Sequence, residues 1–248
     1  MVRNGTCGRI LFSLMSLMSS LVFSGTEGTV KAHALEGHGL VQLGGYWSYQ
    51  GQAQHINIES LIGDTFTVTR HSDSNGLVGA GYFIDGKDYK KFKLTYGVNA
   101  FYLPKTAVNG LVIQENLFTN LSYNYTMTHF PVYVSAKSII ETKYPNSSLI
   151  IDAGIGPNFI NTKNFSERSL DGVTLPDHIF TGKSNTTFSA TAGVAVRLDQ
   201  ILGTAPFECG YRFFYLGEGQ FKALSNQVNN TLKTGGAYAN AAVCSIII

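Results

Sequence analysis

An all-β, closed, antiparallel up-and-down transmembrane β-barrel of about eight strands is the fold this sequence predicts, and three observations predict it. Apolar and polar residues alternate with a period of two in segment after segment, as half-buried strands do. The links between these segments alternate short and long, the rhythm of short periplasmic turns and long external loops. Charged residues make up 14% of the 248-residue chain, with 27 glycines and 12% aromatics; an average soluble protein carries about 25% charge. That balance excludes disorder. A formal charge of +2 without a dense Lys/Arg run excludes a nucleic-acid footprint. No stretch reaches the roughly 18–20 apolar residues of a spanning helix.

Two segments divide the chain. Residues 1–34 read as a secretory signal: Arg3 and Arg9 precede the apolar run Ile10–Phe23, and Ala32-His33-Ala34 offers a cleavage site,. Its removal takes away Arg3, Arg9, Lys31 and Glu27, leaving 15 basic and 15 acidic residues in 35–248. The remainder, 35–248, is the barrel.

The predicted strands follow in order. Val41, Leu43, Trp47 and Tyr49 alternate with Gln42, Gly44, Tyr46 and Ser48, and Asn75–Asp85 follows. Phe92–Tyr102 alternates around Leu94, Tyr96, Val98 and Ala100, and is followed by Tyr123–Ser138 and Leu149–Asn161. Phe188–Leu198 and Phe207–Tyr215 alternate throughout, and Ala237–Ile248 closes the set. Short links are Gly86–Lys90, Ile139–Ser147 and Gln200–Ala205; long ones are Gln50–Ser74, Leu103–Leu121, Thr162–Ser184 and Gly217–Gly236. Pro131 and Pro157 interrupt two strands and call for a bulge or a strand end.

The sides of the alternation can be assigned. One set is Gly, Ser, Thr and Asn with isolated charges, which suits a narrow lumen. The other is apolar, with Trp47, Tyr49, Tyr102, Phe207 and Tyr215 near strand ends, as in an interfacial aromatic girdle. A soluble barrel would reverse this and cover its outside with Lys and Glu. Closure follows from solvent: in hydrocarbon no strand edge can leave its N–H and C=O groups unpaired. The first strand must therefore meet the last.

The stretch Glu208-Cys209-Gly210-Tyr211-Arg212, continuing to Gly219, resembles the penultimate strand of opacity-type outer-membrane barrels of Gram-negative bacteria. Leu149–Asn158 and Asn75–Phe83 are similar to two further strands of that family. The resemblance implies outer-membrane localisation. One departure is that the family usually ends in an aromatic residue read by assembly machinery, whereas this chain ends Ile246-Ile247-Ile248. That implies weaker insertion.

Few residues suggest chemistry. Glu208 and Arg212 share a strand face and should point into the lumen, with Arg197 and Asp199 beside them and Asp152 and Lys93 as further members. Charges in a dry lumen must be paired, so these residues predict an internal ion-pair plug; a gated ion path is the alternative. His129, if inward with Ser135 or Tyr133, would suggest a lipid-modifying enzyme. A lone strand histidine is more often a hydrogen-bonded filler. No catalytic elbow, zinc pair or phosphate loop occurs, so neither catalytic residues nor a cofactor or metal is expected.

The expected role is therefore non-enzymatic, structural or adhesive. The bilayer is the constant partner, and loops 50–74 and 162–184, with their mixed apolar and polar residues, are the candidate contacts for a host or surface ligand. A small-solute channel is the second reading. Cys209 and Cys244 lie symmetrically about the same loop centre as Gly217 and Gly236, which places them opposite each other. Opposed Cβ atoms are about 4.5–5.5 Å apart, slightly wide for a bond. Two lipid-facing thiols are the favoured expectation, with a disulfide as the alternative.

Overall fold

The computed structural model describes residues 36–202 and 205–248; the predicted signal segment 1–34 lies outside them. The described chain is all-β. Eight long strands form β1 (Gly37–Tyr49), β4 (Ser72–Tyr89), β5 (Phe92–Gln114), β6 (Phe118–Glu141), β7 (Ser147–Ser169), β9 (Ser184–Leu202), β10 (Ala205–Gln220) and β12 (Lys233–Ile247). Four short ones, β2 (Gln54–Ile56), β3 (Asp64–Arg70), β8 (Phe180–Thr181) and β11 (Lys222–Ala223), lie in the links. All eight predicted strands are present.

The long strands pair antiparallel with their neighbours, and β12 pairs back onto β1 from Leu40↔Ile247 to Tyr49↔Tyr238. The result is a ring of eight in which first meets last, as the solvent argument requires. Lys90 and Lys91 alone connect β4 to β5, and Leu202 pairs directly with Ala205.

At the opposite end the prediction needs correction, because the strands run on beyond the expected loops. Leu103–Leu121 is no loop: β5 and β6 continue to a three-residue turn in which Glu115 (φ 52°) and Asn116 (φ 57°) are left-handed. The inward series Leu103, Val108, Val112 and Leu121 is fully buried there. That burial outweighs Pro104, which is absorbed by a register shift between Leu103 and Thr106. Within Gln50–Ser74, β3 pairs with the extension of β5, so this link is mostly strand. Thr162–Ser184 begins with strand as far as Ser169, and Gly217–Gly236 contains the end of β10 and β11.

The two flagged prolines mark neither a strand end nor a register shift. Pro131 stands opposite Asn158 and Pro157 opposite Phe188, and the register is the same on both sides of each.

Side chains sort as predicted over the lower part of the ring. Leu43, Val98, Val134, Ile155, Phe188 and Val196 stand exposed on the outside; Gln42, Asn99, Ser135, Asp152 and Glu208 are buried inside. Val134 is 70% exposed, and such a residue gains by leaving water. A continuous apolar exterior around a polar interior fits hydrocarbon and not water. The interior is not made only of small polar groups, however. Tyr46, Phe83, Phe101, Tyr133 and Phe214 are also buried within it.

Cys209 faces Cys244 in register, and the two are joined in a disulfide with Cα atoms 4.1 Å apart. The expectation of two thiols is overturned. Cross-strand pairs that do not share hydrogen bonds approach more closely than the average pair, which brings the sulfur atoms into bonding range.

Candidate functional site

The interior is built in layers, and its lower mouth comes first. A cavity of about 350 Å³ opens between His38, Asp85, Lys93, Glu141, Arg197 and Asp199. Lys93 pairs with Asp85 at 2.5 Å, and Arg197 with Asp199 at 2.9 Å, both partly exposed. Arg197 and Asp199 were expected to join Glu208 and Arg212. They sit instead at the rim and pair with each other, because β9 brings both to the ring's edge where water reaches them. Lys93 is likewise a rim residue.

Above the mouth lies the charged layer. Lys137 Nζ donates to Glu208 Oε2 at 2.8 Å, with side chains 4% and 5% exposed. Arg212 grips Asp152 with both terminal nitrogens, at 2.8 and 2.9 Å, and these side chains are 8% and 5% exposed. The layer holds two cations and two anions, which satisfies the requirement that buried charge be paired. Aromatic faces add to this: Lys137 lies over Phe83 at 4.9 Å and Arg212 over Phe101 at 5.3 Å,.

Glu208 and Arg212 are both buried within the ring, and each has its partner on another strand. Asp152 was a named candidate. Lys137 was missed, although it shares the inward parity of Tyr133 and Ser135 and is a lone cation in the lower half of β6. Gly193 makes the Arg212–Asp152 contact fit. A Cβ there would stand 2.8 Å from Asp152 Oδ2 and 3.3 Å from Arg212.

The space left in this layer is about 20 Å³, roughly one probe sphere of water. Directly above, Phe101, Tyr133 and Phe214 pack with centroids 5.1–6.3 Å apart. His129 follows, 1% exposed, with Nδ1 at 3.0 Å from the Asn158 amide nitrogen, which also donates to the Leu216 carbonyl. No hydrogen bond joins His129 to Ser135 or Tyr133 among the described residues. The strand extensions then enclose a second aromatic storey, in which Phe66, Tyr123, Phe165 and Phe180 interlock edge to face and Phe221 packs tilted against Phe165. Sequence reasoning missed this storey because it assigned Phe66, Phe165, Phe180 and Phe221 to loops and began the neighbouring strand only at Tyr123. The inward alternation Leu121-Tyr123-Tyr125-Met127 was the signal that could have found it.

The outer end carries the exposed surface. Leu61, Ile62, Leu117, Phe118, Val173 and Leu175 stand free, Val173 and Leu175 each 83% exposed. Three segments hold them in place. The Ile62 amide donates to Glu115 Oε2 at 2.9 Å, and Thr65 Oγ1 to Asn116 Oδ1 at 2.9 Å. The Leu170 amide donates to the Asn120 carbonyl at 2.8 Å, and Asn120 Nδ2 to Thr174 Oγ1 at 3.0 Å. Asp171 fixes the last loop by accepting from Ser169, Val173 and Thr174, bonds that hold its carboxyl well below the usual carboxylate range. Beneath the patch, burial raises the carboxyls of Glu167 and Asp64. Glu167 accepts from the His178 amide at 2.8 Å.

No family model and no curated protein matches the chain. Solved structures similar to it include Neisserial surface protein A (NspA), at 12% identity over 84% of this chain and 96% of that one, with a TM-score of 0.40. The outer membrane protein OprG from Pseudomonas aeruginosa has 12% identity, coverage of 85% and 96%, and a TM-score of 0.43. The outer membrane protease OmpT from Escherichia coli has 8% identity, coverage of 90% and 98%, and a TM-score of 0.43.

Proposed function

We propose that this chain is a closed, non-enzymatic barrel of the bacterial outer membrane, sealed to solutes, that acts by presenting an apolar crown to a protein partner outside the cell. In this orientation the short links face the periplasm, and the strand extensions rise above the bilayer as a rigid stalk. The observation that carries the role is the contrast between the sealed lumen and the exposed crown. Large apolar side chains gathered into one patch mark an interaction site, and rigid placement lowers the entropy a partner must overcome. The crown draws on loops 50–74 and 162–184, as the sequence suggested, and adds Leu117 from the β5–β6 turn and Phe118 at the start of β6. Kinship with the opacity-type barrels is part of the same proposal and rests on Glu208–Gly219.

The test compares cells displaying the native chain with cells displaying Leu117→Ser, Phe118→Ser, Val173→Ser and Leu175→Ser together. The variant should migrate normally before and after boiling and lose at least tenfold in attachment to host cells. Equal attachment would remove the crown from the mechanism.

A further inference from the structure

Outside the ring, along the seam of β6, β7 and β9, runs a groove unlike its surroundings. Its upper part, about 300 Å³, lies between Lys163 and Lys183. Asn161 and Ser184 belong both to this part and to the next, about 350 Å³, which passes between Phe130 and Phe159. Two pleats lower, a shallow apolar trough of about 390 Å³ is lined by Val134, Ala136, Ala153, Ile155 and Ala190. Small side chains there leave the space that Tyr and Phe fill elsewhere on the outside.

The lysines are the telling element. The Thr162 amide donates to the Lys183 carbonyl at 3.1 Å, and the Lys183 amide to Thr162 Oγ1 at 2.9 Å, so the two lysines flank one seam. Both are exposed, and neither has an ion-pair partner among the described residues. Around the same rim, Lys233 pairs with Glu218 at 3.3 Å and Arg70 with Asp73 at 3.1 Å. Both lysines line one hollow, Lys183 Nζ also donating to Gln220 Oε1 at 3.4 Å, and two cations on one hollow draw an anion to it. Asn161 and Ser184, just below, offer an amide and a hydroxyl group suited to sugar hydroxyls,. From the top down, the seam offers positive charge, hydrogen-bonding groups, an aromatic band and a hydrocarbon trough.

We infer that this seam is a docking site for a phosphorylated, acylated glycolipid of the outer leaflet, with phosphate between Lys163 and Lys183 and an acyl chain in the trough over Ala136, Ala153 and Ala190. The inference rests on the membrane placement proposed above. A phospholipid would supply phosphate and chains but leave the amide tier without its partner.

The experiment places the full chain, refolded in phosphatidylcholine nanodiscs, against lipid A, with retained lipid counted by native mass spectrometry. Insertion is read first, from gel migration before and after boiling. The native chain should retain lipid A, and Lys163→Gln/Lys183→Gln should lower retention at least fivefold. Lys90→Gln/Lys91→Gln, of equal charge change at the opposite end, should leave it unchanged. Equal retention by the Lys163/Lys183 variant, an equal loss with the Lys90/Lys91 variant, or equal retention of phosphatidylglycerol would overturn the site. Failure to insert would overturn the membrane placement as well, whereas an inserted chain indifferent to lipid A overturns this inference alone.

Discussion

Glu208→Gln tests the charged layer most directly. The change is nearly isosteric, so packing is kept while the anion that balances Lys137 is removed. Lys137 is 4% exposed and cannot turn to water. Stranding a buried charge typically costs about 3–5 kcal/mol. The Phe83 face beneath Lys137 survives the substitution and retains about 0.5–2 kcal/mol of cation–π attraction, which places the expectation at the lower end, about 3 kcal/mol. For a domain of this size that is a fall of roughly 6–12 °C in Tm. The control is Glu218→Gln, whose partner Lys233 is 48% exposed; such surface pairs are worth about 0–1 kcal/mol. Tm is read in detergent from the loss of the compact gel band with temperature. Adding Lys137→Met to Glu208→Gln should restore most of the loss, since a neutral pair leaves no buried charge. Equal shifts for Glu208→Gln and Glu218→Gln would refute the reasoning, as would a double variant no better than the single.

Four further outcomes follow from the same geometry. Reconstituted in a planar bilayer, the native chain should show no steady conductance; sustained current would mean that the charged and aromatic layers do not seal the lumen. Gly193→Ala pushes a methyl group into Asp152 and should cost about 1–3 kcal/mol, as overpacking does, read as a lower Tm; an unchanged Tm would mean the Arg212–Asp152 pair shifts freely. Alkylation without reductant should leave Cys209 and Cys244 unmodified by intact mass, and reduction should lower stability by about 2–4 kcal/mol. In the crown, the folded carboxyl of Glu167 is raised by burial, so ionisation weakens the local structure as pH rises from the ordinary carboxylate value through the raised one. Amide protection around 167–178, corrected for intrinsic exchange, should be greater at pH 5 than at pH 7, and Glu167→Gln should flatten that difference. Greater protection at pH 7 would reverse the sign and refute the assignment.

Two-residue alternation determined much of this protein without a structure. Val41, Leu43 and Trp47 against Gln42 and Ser48 already state which face meets hydrocarbon, because every second side chain points the same way. The paired inward positions of Glu208 and Arg212 follow from the same period, as does the meeting of β1 with β12, since a bilayer tolerates no open edge. The opposition of Cys209 and Cys244 was legible too, but not the bond between them, because average strand spacing cannot tell a close pair from a wide one. Which cation meets which anion was decided only in three dimensions. Lys137 and Glu208 are 71 residues apart and meet across the ring, a distance that no local pattern encodes. The same holds for the upper storey. Leu103–Leu121 read locally as a link, yet the burial of Val108, Val112, Tyr123 and Phe66 carries the strands through it. Local signals give the parity of a side chain, and the partner across the interior is fixed only when the ring closes.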